Sequence, residues 1–297
     1  MIQTRGERAF VIFSAVVMSL LTLIAFLPFI LILVASFTDE VALVRDGYRF
    51  IPSAVSLDAY LYMKASAFTF IRAYGVSFLV TILGTVVGLL ITSMLAYPMS
   101  RKDFKYHNTL AFIVFFTMLF SGGVVPSYIM WTQYFNVKDT LFALIVPNLL
   151  ANGFNVLLVR NYFKSNVPIE LIESAQIDGA TEMRTFFRIM LPLSVPVLAT
   201  VGLFMGLAYW NDWINALYYI TKPQYYGIQN LLIRLMNNIQ FLKSSQASNV
   251  LGANAVDLPS TSVRMAMAVV GILPILFILP TMQKYLTRGV VIGAVKG

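Results

Sequence analysis

The longest charged interval bounded on both sides by long apolar runs is residues 164–192, which holds Glu170, Glu173, Asp178, Glu182, Arg184 and Arg188. Taken by residue type alone, they suit either a solvated, well-capped linker or a surface for another protein to grip. A carboxylate such as Glu173 accepts charge-assisted hydrogen bonds, which are shorter and stronger than neutral ones, and no nucleophile with an adjacent base accompanies it. A second set is Trp210-Asn211-Asp212-Trp213, followed by Asn215. Rings flanking amides and a carboxylate suit sugars, because the rings stack on C–H faces while Asn and Asp hydrogen-bond hydroxyls. An acid inside an apolar run is costly unless it faces a cavity or a partner, yet Trp and Tyr also gather at membrane interfaces; pathway lining and interface packing both stay open. A third set, Asn148, Asn152 and Asn155, follows Pro147. Spacings of four and three predict one helix face, suited to hydrogen bonds between helices or to contact with a substrate or partner.

Bond-making chemistry finds no support. The chain has no G-x-S-x-G, no H-E-x-x-H, no paired intramembrane acids and no G-x-x-x-x-G-K-[ST], so any ATP hydrolysis belongs to another chain. It has no cysteine and a single histidine, His107, which leaves neither a disulfide framework nor a metal-ligand set. No catalytic residue, bound cofactor or metal is expected.

These residues must be positioned by membrane helices. The chain has 297 residues, 59% hydrophobic and only 11% charged, against roughly 25% charged in soluble domains. At about 20 apolar residues per crossing, the length accommodates an all-α polytopic membrane protein, a single domain over 1–297. Six spans are expected at about 10–36, 70–98, 107–130, 140–162, 190–220 and 263–284. The first apolar run is too long for the h-region of a signal peptide and reads as a retained span. Arg5, Arg8, Arg101, Lys102, Lys105, Arg160, Lys164, Arg184, Arg188, Lys284, Arg288 and Lys296 lie in or at the edges of alternate segments between and beyond the spans, which places both termini and the 164–192 interval in the cytoplasm. The same bias accounts for the net charge of +8 without nucleic acid. Segments 37–69, Asn136–Asp139 and 221–262 then face outward, the last containing the polar stretch SSQASNVLGANAVDLPSTS. Gly84, Gly88, Gly122, Gly123, Pro126, Pro147, Gly202, Gly206, Pro274 and Pro280 lie in the spans; close helix packing and bending are both open to them.

Within 164–192, Pro168 opens a short helix with Ser165 or Asn166 near its start, and Leu171, Ile172 and Ala175 recur at helical spacing. Gly179 can take the left-handed conformation that ends it, and Thr181 can cap a second helix running through Phe186 and Phe187 into the fifth span.

Glu173-Ser174-Ala175, then Gly179, then Ile189-Met190-Leu191-Pro192 fit E-[AS]-A-x3-G-x9-I-x-L-P. This resembles the EAA loop of the membrane subunits of bacterial ABC importers, with Ser174 replacing one small residue by another. SGGVVPSYI at 121–129, DTLFALIVPN at 139–148, YWNDWINALYYI at 209–220 and the terminal RGVVIGAVKG extend the resemblance over nearly the whole chain, to carbohydrate-importer permeases of the maltose-permease type, including oligosaccharide and alginate importers. The resemblance implies a type I importer permease fold and half of a translocation pathway. It implies a second homologous permease, two nucleotide-binding ATPase subunits that carry ATP-Mg, an extracytoplasmic sugar-binding protein and an inner or plasma membrane location. The loop would dock on the ATPase through Glu173, Ala175, Asp178 and Gly179, with Ile189, Leu191 and Pro192 anchoring its second arm. Asn148, Asn152, Trp210, Asn211, Asp212, Trp213 and Asn215 would be candidates for the substrate pathway. An ion-coupled secondary transporter, with Asp212 carrying a proton, is the alternative, although no inverted repeat is evident.

Overall fold

The computed structural model describes residues 5–243 and 261–294. Most of the polar stretch at 244–262, the side chains of Lys284 and Arg288, and Lys296 with the last residues of the terminal motif lie outside the described residues. Apart from one isolated antiparallel bridge, Thr38 to Val55, the described residues form helices and turns. In order these are α1 (Arg5–Ser36), α2 (Glu40–Asp46), α3 (Asp58–Lys64), α4 (Ala67–Ser100), α5 (His107–Leu119), α6 (Val124–Ile129), α7 (Phe142–Ile145), α8 (Gly153–Asn166), α9 (Ile169–Ile177), α10 (Glu182–Thr185), α11 (Leu191–Leu193), α12 (Val195–Trp210), α13 (Ile214–Tyr219), α14 (Ile228–Lys243) and α15 (Thr261–Ala294). Two π-helical turns, Met130–Tyr134 and Phe186–Met190, continue α6 and α10.

Among the described residues, three helices are long and apolar enough to cross a membrane: Arg8–Ser36, Ala67–Ser100 and Thr261–Ile278. They match the expected first, second and sixth spans. The expected third span bends by 112° between α5 and α6, and the fifth by 82° between α11 and α12. Counting each bent pair as one crossing gives up to five, against the six expected. The difference is the 140–162 segment, which is divided into α7 and α8 by residues 146–152. Each interruption has a local cause. Gly123 takes φ +83°, open to glycine without steric cost; Pro192 and Pro196 flank the second bend; and Pro147, which removes a helical donor, precedes Asn148 at φ +63°. Gly84 and Gly202 serve close packing. A Cβ at Gly84 would meet the Tyr209 ring (2.6 Å to Cε1), and one at Gly202 would touch Leu89 Cδ1 at 3.0 Å.

The chain divides into two compact units, Met1–Phe68 with Leu232–Leu273, and Thr69–Leu231 with Pro274–Gly297. In the first, an 18-residue apolar stretch of α1 buries none of its residues, as suits a helix whose solvent is lipid, and among the described side chains of the helix only Ala35 and Ser36, at its end, are buried. The Asp39 carboxylate caps α2 through the Ala42 N–H at 3.0 Å. Glu40 accepts the Ser262 N–H and hydroxyl, both at 2.8 Å, and the Thr261 N–H at 3.0 Å, so it satisfies two of the four free N–H donors that open α15.

The second unit has two apolar cores. One gathers Ala96 and Met99 of α4, Val156, Val159 and Phe163 of α8, Ile172 of α9, Phe186 and Met190, and Val197, Val201 and Met205 of α12. The other joins Val80, Ala143, Leu144, Tyr209, Ala216, Tyr219 and Ile220. At the edge of the latter, Asp139 stands at φ +58°, and its N–H donates to the Tyr219 carbonyl at 3.0 Å. Its carboxylate accepts the Thr221 N–H at 2.6 Å, the Thr221 hydroxyl at 2.7 Å and the Lys222 N–H at 3.0 Å. The Thr221 hydroxyl, seconded by these backbone donors, holds the carboxyl down to about 2. A depressed acid stabilises the fold above its unfolded value, about 3.9, and loses that contribution as pH falls through its folded value. In detergent, the gap in thermal stability between wild type and Asp139→Asn is expected to narrow as pH drops from about 4 towards 2. A gap that stays constant over this window would remove Asp139 as the clamp.

Candidate functional site

The 164–192 interval is built as α9, a tight reversal and α10. Pro168 occupies the N-cap position with extended backbone, and no side chain caps the helix start. The expected capping by Ser165 or Asn166 does not occur, because both belong to the last turn of α8. The C-terminal stop has the predicted form. Gly179 takes φ +75°, the Ala180 N–H donates to the Ala175 carbonyl at 2.9 Å, and the Gly179 N–H donates to Gln176 at 3.0 Å, the two-bond termination for which glycine is favoured. Thr181 then caps α10, its hydroxyl accepting the Arg184 N–H at 3.3 Å.

This geometry sorts the residues of the loop. Ile172 and Ala175 are buried against the core, whereas Glu173 and Asp178 are exposed. Ile189 and Leu191 are half-buried and Pro192 is exposed at the second bend. Two residues not singled out from the sequence complete the outer face. Ile169 and Ile177 flank Glu173 at intervals of four and are 49% and 86% exposed, so the outer stripe of α9 is apolar, acidic, apolar. A helix that buries one face yet leaves isoleucines on the other has apolar surface available to a partner. The signal was present as a four-residue spacing, but the alternation with Leu171 and Ile172 made either face eligible for the core.

The second candidate cluster forms where the break after α7 meets the end of α12. The Tyr209 hydroxyl donates to the Ile145 carbonyl at 2.8 Å, and Asn215 Nδ2 donates to the Pro147 carbonyl at 2.9 Å. These bonds occupy carbonyls that the interruption frees, the condition for irregular backbone inside a membrane protein. Asn215 is therefore buried and committed. Asp212 lies beyond the end of α12 rather than within a span, and its Oδ1 accepts the Ile214 and Asn215 N–H groups at 3.1 and 3.2 Å, capping α13. Trp210 is 3% exposed, packed against Phe78 at 5.1 Å and Tyr74 at 6.1 Å between centroids. Asn211 is exposed, with Nδ2 on the Leu207 carbonyl at 2.9 Å, and Trp213 is also exposed.

Asn148, Asn152 and Asn155 do not share a helix face. Asn148 is an exposed turn residue, and Asn152 precedes α8, where its Oδ1 accepts the Phe154 and Asn155 N–H groups at 3.0 and 3.3 Å. Asn155 is buried in the first turn of α8. The expected face assumed a continuous helix through Pro147. Among the described residues, no group of three or more His, Cys, Asp or Glu side chains is arranged to hold a metal ion.

Comparison with known proteins places this architecture. The chain is 37% identical to the protein LplC of Bacillus subtilis (strain 168) over 99% of its length and 97% of that protein. It is 36% identical to the polygalacturonan/rhamnogalacturonan transport system permease protein YtcP of the same organism, over 93% of this chain and 94% of that one. Its fold matches, with a TM-score of 0.78 and 26% identity, a chain in the crystal structure of a bacterial ABC transporter involved in the import of the acidic polysaccharide alginate, covering 96% of this chain and 99% of that one. The model for the binding-protein-dependent transport system inner membrane component matches residues 88–292. An all-helical chain of bent and broken membrane helices, matched over most of its length in this way, belongs to the family of binding-protein-dependent transport system inner membrane components.

Proposed function

We propose that this chain is the permease subunit of an ATP-driven carbohydrate importer that takes up oligosaccharides derived from polysaccharides. The observation that carries the reading is the outer stripe Ile169-Glu173-Ile177 on α9, closed by the glycine turn at Gly179. It offers two apolar contacts around one charge-assisted hydrogen-bond acceptor, a fit for a cleft on a cytosolic nucleotide-binding subunit that binds ATP-Mg. On this reading the 164–192 interval and both termini are cytoplasmic, and the chain works as one permease domain beside a homologous second permease, two ATPase subunits and an extracytoplasmic binding protein. Closure of the ATPases displaces α9. The second arm, through Ile189, Leu191 and Pro192, passes that displacement to α12.

Carbohydrate is favoured by the relatives, whose names specify polygalacturonan and rhamnogalacturonan, arabinooligosaccharides and alginate. Within the pathway, the exposed Asn148, Asn211 and Trp213 are the side chains free to meet a sugar. Asn152, Asp212 and Asn215 hold the backbone around them, and Trp210 packs against Phe78 and Tyr74. Asp212 Oδ1 accepts the two N–H groups that open α13, a local structural role that accounts for this acid without proton transport.

The test is uptake of labelled oligogalacturonides and alginate oligosaccharides by proteoliposomes holding the assembled transporter. Uptake of at least one probe is expected to require ATP on the ATPase side and to resist a protonophore. Uptake that continues without ATP and collapses with the protonophore would replace this reading with ion-coupled transport.

A further inference from the structure

Glu182 lies just past the Gly179 turn and gathers three donors from two different elements. Its Oε2 accepts the Tyr97 hydroxyl at 2.5 Å and Arg101 Nη1 at 3.3 Å, and its Oε1 accepts Gln176 Nε2 at 3.1 Å. Gln176 belongs to α9, Tyr97 to the last turn of α4, and Arg101 follows directly after α4. The carboxylate thus joins α9 to α4 by a route that bypasses α11 and α12.

Pairing of the buried Arg101 charge does not by itself require this junction. Arg101 is buried, but its Nε and Nη2 are held by the two Asp103 oxygens at 2.8 and 2.5 Å, and its Nη1 also donates to the Tyr97 hydroxyl at 3.0 Å. The guanidinium would keep a counter-ion without Glu182, so the penalty of an unpaired buried charge does not arise. The Glu182 side chain itself is 59% exposed, and exposed ion pairs add little to stability. What the site does supply is direction. Arg101 is fixed on the α4 side by Asp103, and Tyr97 also packs against Phe186, 5.4 Å between centroids and four residues after Glu182, so a ring contact beside the carboxylate keeps the arm in register with the end of α4.

We propose that Glu182 is a positioning residue, a second mechanical connection through which displacement of α9 reaches the end of α4 by way of Tyr97 and Arg101. The proposal rests on α9 being the helix that the ATPase moves. It assigns the permease two outputs from one coupling helix, one through Pro192 to α12 and one through Glu182 to α4, the two helices that pack together at Gly84, Gly88 and Gly202.

The test measures sugar imported per ATP hydrolysed in proteoliposomes, with a probe that the wild-type transporter imports, for wild type, Glu182→Ala, Tyr97→Phe and the double variant. Glu182→Ala is expected to lower the ratio roughly threefold or more, and Tyr97→Phe to lower it less. The double variant is expected to be no lower than Glu182→Ala alone, because both changes act through one junction. ATPase copurification at wild-type yield separates these losses from failed assembly, which a purely structural role would produce. A wild-type ratio in Glu182→Ala, or losses that multiply in the double variant, overturns the proposal. Should Glu182→Ala assemble poorly, Tyr97→Phe decides alone, and a wild-type ratio in it is equally fatal. If the wild type shows no ATP-coupled uptake, it is the importer reading that fails and not the junction.

Discussion

Replacing Gly179 with proline is expected to leave the permease inserted and associated with its partners but to lower ATP-driven uptake by roughly tenfold or more. The reason is local. Gly179 stands at φ +75°, whereas proline fixes φ near −65°, and its ring also removes the N–H that donates to the Gln176 carbonyl at 3.0 Å. The α9 to α10 reversal then has to adopt another path, so the Ile169-Glu173-Ile177 stripe and the arm towards Pro192 no longer hold their relative orientation. Gly179→Ala supplies the control. Nothing lies within 4 Å of the added Cβ, so the cost is the left-handed backbone alone, about 1–2 kcal/mol, and uptake is expected to fall far less. Comparable uptake in the proline and alanine variants would mean that the turn geometry is not what transmits motion.

Gly84→Ala is expected to destabilise the permease by about 2–4 kcal/mol, combining overpacking of about 1–3 kcal/mol with the loss of a hydrogen bond worth about 1 kcal/mol. A Cβ at residue 84 falls on the Tyr209 ring, with Cε1 only 2.6 Å away. The ring must move, and its hydroxyl is the donor to the Ile145 carbonyl at 2.8 Å. One methyl group therefore damages both the α4 to α12 contact and the support of the break after α7. Thermal unfolding in detergent checks this, and Gly84→Ala combined with Tyr209→Leu is expected to regain the overpacking part but not the hydrogen bond. A wild-type melting temperature for Gly84→Ala would show that the two helices separate more readily than their packing implies.

The parts of this fold that were legible in the sequence are those decided within a few residues or by sheer apolar length. α1 and α4 follow from long runs without charge, and the Gly179 stop and the Thr181 cap follow from residues whose effects act within one turn. The division of the 140–162 segment was not legible. Its length and its apolar residues suit a span, and membrane helices often tolerate proline. The break is held by Tyr209 and Asn215, which lie 64 and 68 residues away from the carbonyls they occupy. Asp212 was conspicuous as an isolated acid, but its partners are the backbone N–H groups two and three residues on, a local pattern that residue type alone does not separate from a pathway role. The Glu182 junction joins residues 81 and 85 positions apart, and no spacing rule reaches that far.

The central claim is that the outer stripe of α9 meets the ATPase. The chain contains no cysteine, so Glu173→Cys introduces a single thiol into the stripe, and Lys222→Cys places an exposed control on the opposite, extracytoplasmic side of the proposed topology. With a short bifunctional thiol-to-amine reagent on the assembled transporter in membranes, position 173 is expected to form a cross-link to the nucleotide-binding subunit, weakened or strengthened by ATP, and position 222 to form none. Cross-linking from position 222 with none from position 173 would contradict the account.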